Sequence, residues 1–364
     1  MNKISSRQLY FFLAAVAPVG KLILLPVTLA HYAANDLLFP AAINFFLQAG
    51  VIALVLLLAK NGLSLGELLQ KTFGKIGAKI ILTIFFAFFF YAALCPLIEQ
   101  KLFVQSIFYD TLPSVVTFSS FFIFSAYLCA KPLSSYGRIW DILAPVAFVG
   151  FVGIIALAAG NMDFGALNPV GAAGIEKITQ GAAFTNYWFF DSAILLTLLG
   201  KIEYKRGMAW KGPLFYLLGA AAVMLFLAVF YGIFSEIAVR QQFAFAKIGK
   251  YSPAVGILGR IDYLFVFALS LVMAFYSALP LQAGIDCLRQ AYGSPAGKLL
   301  PALASVAVNI IMLVLTVFFD YRFAEVRRFV GEMLFWVFPI FTLLLPALSP
   351  LLKLRVRKRE VKTS

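Results

Sequence analysis

The sequence predicts an all-helical, polytopic membrane protein of about ten transmembrane helices, and three observations lead there. Its 364 residues are 62% hydrophobic with 39 phenylalanines and a mean hydropathy of +0.93, more apolar surface than one soluble core can hide. The apolar residues fall into ten runs, each near the roughly 20 residues that a helix needs to cross the hydrocarbon. The basic residues behind the formal charge of +14 lie in short clusters between those runs, so membrane topology accounts for them and no nucleic acid is called for as a partner.

The first run, about 8–32, organises the rest. Pro18, Gly20 and Lys21 sit in its middle, where a plain membrane helix would carry Leu or Ile. Proline removes a backbone donor and crowds the preceding turn, and glycine tolerates non-helical conformations, so the run reads as an interrupted helix. A bilayer permits such a break only where it faces protein or a wet cavity, and the freed amides and carbonyls there become ligands for a small charged solute. The residues of the break, Pro18, Val19, Gly20, Lys21 and Leu22, are the first candidate binding residues. The run is too long for a signal peptide and lacks a small-residue cleavage site, so it reads as a retained helix.

The other runs are approximately 38–59, 78–108, 114–130, 139–159, 175–201, 212–236, 256–286, 298–319 and 331–352. With the N-terminus placed in the cytoplasm, 20 Lys and Arg fall inside and nine outside, Lys101 among the nine, with Lys21 left in the membrane; both termini therefore read as cytoplasmic. The segment 236–251 fits least well, carrying three basic residues on the outer side. One integral membrane domain spans 1–364 and divides into halves at about 8–159 and 175–352, with a basic cytoplasmic tail at 353–364. If the halves are inverted repeats, the sixth run is the counterpart of the first, and it carries Asn186 and Asp191 in mid-span, although no glycine or proline lies near Asp191.

No enzyme signature emerges: there is no phosphate-binding glycine loop, no His-Glu-x-x-His, and a single histidine, His31, placed at a membrane edge. The cysteines Cys95, Cys129 and Cys287 have unrelated spacings, which indicates neither a zinc site nor a disulfide framework; no cofactor is expected.

The residues also carry a resemblance. The opening Ile4-Ser-Ser-Arg-Gln-Leu9, the break at Gly20 with Leu24-Leu-Pro26, and Ala34-Asn-Asp36 resemble the first helix and loop of the endospore germination permease family. Glu99, Thr111-Leu-Pro113, Tyr127, Tyr136-Gly-Arg138 with Asp141 and Pro145, Leu167-Asn-Pro169, Gly174, Phe189-Phe-Asp191 and Gly259-Arg-Ile-Asp262 resemble its later landmarks in order. Members are B subunits of nutrient germinant receptors, distant relatives of the amino acid/polyamine/organocation transporters. The resemblance implies a LeuT-type five-plus-five inverted repeat with helices 1 and 6 broken, residence in the spore inner membrane, and partner A and C subunits. It also implies a small amino acid or similar nutrient bound between helices 1, 3, 6 and 8. In this chain the amides after Gly20 would hold its carboxylate, Asp191 its ammonium, and Tyr91, Tyr187, Phe190 and Phe267 would close the pocket. Two departures stand out: Lys21 replaces a small hydroxylated residue, and Phe190-Asp191 replaces Gly-Glu.

Lys21 lies roughly 20 Å along a helix that starts near Gln8, past the middle of a hydrocarbon core about 30 Å thick. An intramembrane cation needs a partner, and three readings stand: it binds the carboxylate of the ligand, it pairs with Asp191 in place of a coupling sodium ion, or it reaches toward the outer interface or pairs for folding alone. Glu99 falls near the outer end of helix 3, as a gate or a solvated cap. Arg138 and Asp141, three apart, are expected to pair with each other at the end of helix 5. A nutrient-sensing receptor subunit is the favoured function, with a proton-coupled or exchange-type amino acid transporter and a non-binding scaffold subunit as alternatives.

Overall fold

The computed structural model describes residues 3–108, 113–250, 261–292, 299–318, 337–349 and 351. Thr111, Leu112, Gly259, Arg260, Arg322, Arg327, Arg328, the tail at 353–364 and the side chain of Cys95 lie outside the described residues.

Helix α1 begins at Ser6 because Ser5 and Gln8 form a capping box: the Gln8 amide donates to Ser5 Oγ (3.3 Å) and the Ser5 amide to Gln8 Oε1 (3.0 Å). It runs as α-helix over Ser6–Phe11, widens into a π-helical turn over Phe12–Val16, and regains one α turn at Ala17–Val19. Pro18 has no amide to offer the preceding turn, and the widened turn is where the helix absorbs that. From Gly20 to Leu24 the chain is not helical, and α2 (Leu25–Ala33) restarts with Pro26 in its first turn, where a missing N–H costs nothing.

The remaining helices are α3 (Leu38–Ala59), α4 (Leu65–Phe108), α5 (Ser114–Ala130), α6 (Tyr136–Ala158), α7 (Gly174–Thr185), α8 (Asp191–Thr197), α9 (Met208–Phe234), α10 (Ala244–Lys250), α11 (Asp262–Tyr292), α12 (Leu299–Phe318) and α13 (Val337–Ser349). Among the described residues there is no strand, only a bridge between Ile4 and Ile202. Among the described residues five segments are long and apolar enough to cross a membrane: α3, α4, Leu133–Ala158, Met208–Arg240 and α11. Shorter apolar helices run over Phe118–Ala130, Ala302–Val317 and Val337–Ser349. Bulky apolar side chains face outward, Phe46, Ile76, Ile123, Ile142 and Phe148 each being more than 60% exposed, as hydrocarbon-facing residues are.

Two expected boundaries move. Helix 3 starts at Leu65 rather than 78, with a non-helical kink at Gly74 (φ 79°) that sets its first two turns apart from the span. Helix 8 is described from Asp262 and continues to Tyr292, six residues beyond the expected end.

Helix α11 is central: it packs on α4, α6, α5, α12 and α8, while α3 packs on α9 and α5 on α12. At the end of the bundle where α1 begins, the elements are tied by polar groups. The Ile4 amide donates to Lys201 O and the Glu203 amide to Ile4 O, both at 2.8 Å. Lys201 and Asp286 form an ion pair, Gln290 donates to the same carboxylate, and the Gly66 amide donates to Gln290 Oε1. Arg289 donates to the carbonyls of Cys129 and Lys131. At the opposite end Asp36, 2% exposed, accepts from the amides of Gly171 (2.7 Å) and Ala173 (2.8 Å), and Asn35 donates to Pro169 O. The landmarks Ala34-Asn-Asp36 and Leu167-Asn-Pro169 thus meet: one braces the loop that carries the other.

Three charged residues sit otherwise than expected. Asp141 pairs with Arg7 (3.2 Å) and accepts from Gln8 (2.8 Å) rather than from Arg138, which is exposed; α1 packs on α6 and reaches the carboxylate first. Lys101 is not an outer-loop charge but a buried one, 1% exposed, donating to Thr316 O on α12 (3.1 Å). Glu99 is not a solvated cap: it is 2% exposed.

Candidate functional site

The sixth helix breaks without glycine or proline. After α7 the chain makes a 3-10 turn over Asn186–Trp188, Phe189 (φ −108°, ψ 61°) and Phe190 leave the helix, and α8 restarts at Asp191. What holds the break is side chains from its neighbours. Gln48 of α3 donates to Phe189 O (2.7 Å), Asn44 donates to Ala182 O (2.8 Å), Thr342 of α13 donates to Asn186 Oδ1 (3.0 Å), and Ser192 donates to Thr342 O. Backbone groups freed inside a bilayer must be satisfied by protein, and the Phe189 carbonyl is met by Gln48.

The two breaks face one another, and Lys21 meets Asp191 between them. Lys21 Nζ lies 2.8 Å from Asp191 Oδ2, and both side chains are 0% exposed. The carboxylate takes two further donors, Tyr216 of α9 on Oδ2 and Tyr276 of α11 on Oδ1, each at 3.1 Å. The ammonium donates also to Ala17 O (3.1 Å) and lies 5.2 Å and 5.7 Å from the ring centres of Phe189 and Tyr276. Desolvating two charges is costly, and their attraction offsets it only when the remaining lone pairs and protons are met. This pair has three donors on the carboxylate; on the ammonium it has two acceptors and two aromatic faces.

Gly20 is fixed by the same cluster. A Cβ there would lie 2.2 Å from Tyr276 Cε1, so any larger residue displaces the ring whose hydroxyl serves Asp191. The Lys21 and Leu22 amides, expected to be open after the break, are bonded in a turn to Pro18 O (2.9 Å) and Val19 O (3.1 Å). The backbone amides of Ile23 and Leu24, at the N-terminal end of α2, make no backbone hydrogen bond among the described residues.

Most of the other sequence candidates gather near this pair. Pro18, Val19 and Leu22 are buried in the first break; Phe190 stacks on Tyr276 (5.5 Å), and Tyr187 stacks on Trp188 (3.8 Å). Glu99 joins the second break, its Oε2 lying 3.4 Å from the Trp188 indole N–H. Tyr91 is a half-buried residue of α4 packed against the apolar core. Phe267 is not part of the site: it is 59% exposed and faces a separate cavity at the side of the bundle. Sequence reasoning missed Tyr216, Tyr276, Gln48, Asn44 and Thr342, whose one signal is a polar group in mid-span. Among the described residues no group of three or more His, Cys, Asp or Glu side chains is placed to hold a metal ion.

Two broken helices that face one another are an arrangement found in secondary transporters. The comparisons agree at the level of fold. The chain is similar to the crystal structure of the Eremococcus coleocola manganese transporter, solved in complex with an aromatic bis-isothiourea substituted compound, with a TM-score of 0.52 and 13% identity over 94% of this chain and 78% of that one. No curated protein sequence gives a significant match. A family model described as spore germination protein matches residues 6–345, nearly the whole length, and the chain therefore belongs to the spore germination permease family, as an integral membrane protein of transporter type.

Proposed function

We propose that this protein is the nutrient-sensing B subunit of a spore germinant receptor, binding a small neutral amino acid beside the Lys21–Asp191 pair. That pair carries the reading. In a cation-coupled transporter a mobile cation enters and leaves the broken-helix site in each cycle, whereas here a tethered ammonium occupies a carboxylate at the break. A fixed charge of this kind suits a protein that shifts between two states when ligand binds rather than one that couples flux to a gradient. The ligand carboxylate would sit on the amides of Ile23 and Leu24, where the end of α2 favours an anion. Its ammonium would share Asp191, with Tyr187, Phe190 and Tyr276 as walls.

In this reading α1 to α6 and α7 to α13 are inverted halves of one domain, both termini face the cytoplasm, and the protein resides in the spore inner membrane with A and C subunits. Transport remains the second reading, favoured by the likeness of the fold to a transporter. The test uses purified protein in nanodiscs for binding of radiolabelled neutral amino acids, and proteoliposomes for uptake under proton or sodium gradients. Binding of one or a few amino acids without concentrative uptake is expected. Gradient-driven accumulation would move the assignment to a transporter, and no binding of any amino acid would move it to a scaffold subunit.

A further inference from the structure

The two breaks are closed over the carboxylate. Val19, Lys21, Leu22, Phe189, Phe190 and Asp191 are each at most 4% exposed, so a solute reaches Asp191 only if a protein group gives way. Three groups stand on the carboxylate, and they are not equally replaceable. Oδ2 takes Lys21 Nζ (2.8 Å) and the Tyr216 hydroxyl (3.1 Å), whereas Oδ1 accepts, among the described residues, from the Tyr276 hydroxyl alone (3.1 Å). Withdrawing Lys21 would strand a buried cation, the costliest of the three changes, while withdrawing a phenol strands no charge. An incoming ammonium is repelled by Lys21, and the oxygen that Lys21 does not share is the one held by Tyr276.

Tyr276 covers the first break as well as the carboxylate. One edge of its ring lies over Gly20, with Cε1, Cδ1 and Cζ at 2.2, 2.6 and 2.7 Å from where a Cβ would stand. Its face stacks on Phe190, and the whole side chain is 1% exposed. A donor on Asp191 and an apolar body over Gly20 are thus joined in one side chain. A neutral amino acid presents the same two parts, an ammonium and a Cα with its substituent.

We propose that Tyr276 is a built-in competitor for the ligand: its phenol holds the seat that the ligand takes, and binding expels it from Asp191 Oδ1 and from Gly20. This rests on the amino acid reading above and adds the residue that sets affinity and ligand size. The exchange puts a charged donor where a neutral one stood, and charge-assisted hydrogen bonds are the stronger, so a free amino group is required. The full chain in nanodiscs is to be titrated with radiolabelled glycine, alanine, valine and leucine as wild type, Tyr276→Phe and Tyr276→Ala. Tyr276→Phe keeps the ring and deletes the hydroxyl, so binding no longer breaks that hydrogen bond and should tighten about tenfold. Tyr276→Ala also clears Gly20, and its gain should be largest for valine and leucine. A ring that only walls the pocket gives the opposite sign, since losing a wall weakens binding. In the otherwise unaltered protein, fluorotyrosine at position 276 should shift its fluorine NMR resonance on addition of the tightest of the four, and should stay put with the N-acetyl form; this reading holds even where a variant folds poorly. Wild-type binding that Tyr276→Phe leaves equal or weaker, or a resonance unmoved at saturation, would overturn the proposal and leave the amino acid reading standing. Binding by the variants alone would support it, with the phenol outcompeting all four, and silence from all three proteins would end both readings.

Discussion

Neutralising one member of the Lys21–Asp191 pair should do more harm than neutralising both. Lys21→Met leaves Asp191 with the hydroxyls of Tyr216 and Tyr276, two good donors, so its cost should sit at the low end for breaking a buried pair, about 3 kcal/mol. Asp191→Asn leaves the ammonium with Ala17 O and two ring faces and turns an amide toward it, so its cost should sit at the high end, about 5 kcal/mol. In the double variant no charge is stranded, and the residual loss is that of ordinary polar contacts, about 1–2 kcal/mol. The coupling between the sites, the two single losses less the double one, should therefore be about 6–7 kcal/mol, more than ten-thousandfold in the unfolding equilibrium. Unfolding of the purified protein in mixed micelles of mild and denaturing detergent measures all four corners of the cycle. Losses that simply add would show that the two charges do not sustain one another, and the fixed-cation argument would fall with them.

Other consequences are open to similar tests. Gly20→Ala should cost about 1–3 kcal/mol through overpacking on Tyr276, and the loss should be non-additive with Tyr276→Leu; an unchanged melt would contradict the close approach. Arg7→Ala should change stability by less than about 1 kcal/mol because the Arg7 side chain is 70% exposed, and Arg138→Ala should leave the Asp141 contacts untouched. Asp36→Ala should speed hydrogen exchange at the Gly171 and Ala173 amides, which lose their acceptor; unaltered protection there would refute the brace. In a background free of Cys95, Cys129 and Cys287, cysteines at Lys60 and Arg138 should react with an impermeant reagent only after the membrane is opened, and one at Asn161 in intact cells. Labelling of the Arg138 position from outside would invert the assigned topology.

The first break was legible because its cause is local: Pro18 and Gly20 disrupt a helix whatever surrounds them. The second was legible only as two polar residues, because Phe189 and Phe190 leave the helix under side chains of α3 and α13 that lie far away in sequence. Tyr276 could not be singled out among 15 tyrosines, since nothing in a lone sequence says which face of α11 meets Asp191. Once Tyr276 is placed, Phe267 follows. Nine residues at 3.6 per turn come to about two and a half turns, so the two rings lie on opposite faces of the helix and Phe267 cannot close the same pocket. The Arg138–Asp141 expectation failed for a related reason: sequence spacing offered a neighbour, and packing of α1 on α6 brought Arg7 and Gln8 instead. Glu99 read as solvated from its distance to the helix end, which carries no information about the Trp188 indole beside it.

The junction of Ile4 with Lys201 and Glu203 is built from main-chain groups alone. The two hydrogen bonds themselves are therefore the same whatever side chains stand there, while Ile4 is held separately by burial in the apolar core and Lys201 by its pair with Asp286. Only proline at Ile4 or Glu203 would delete a donor there, and only trimming of the amino terminus would remove one whole side of it. Two segments nearly two hundred residues apart are in this way spliced by a connection that truncating a side chain leaves in place.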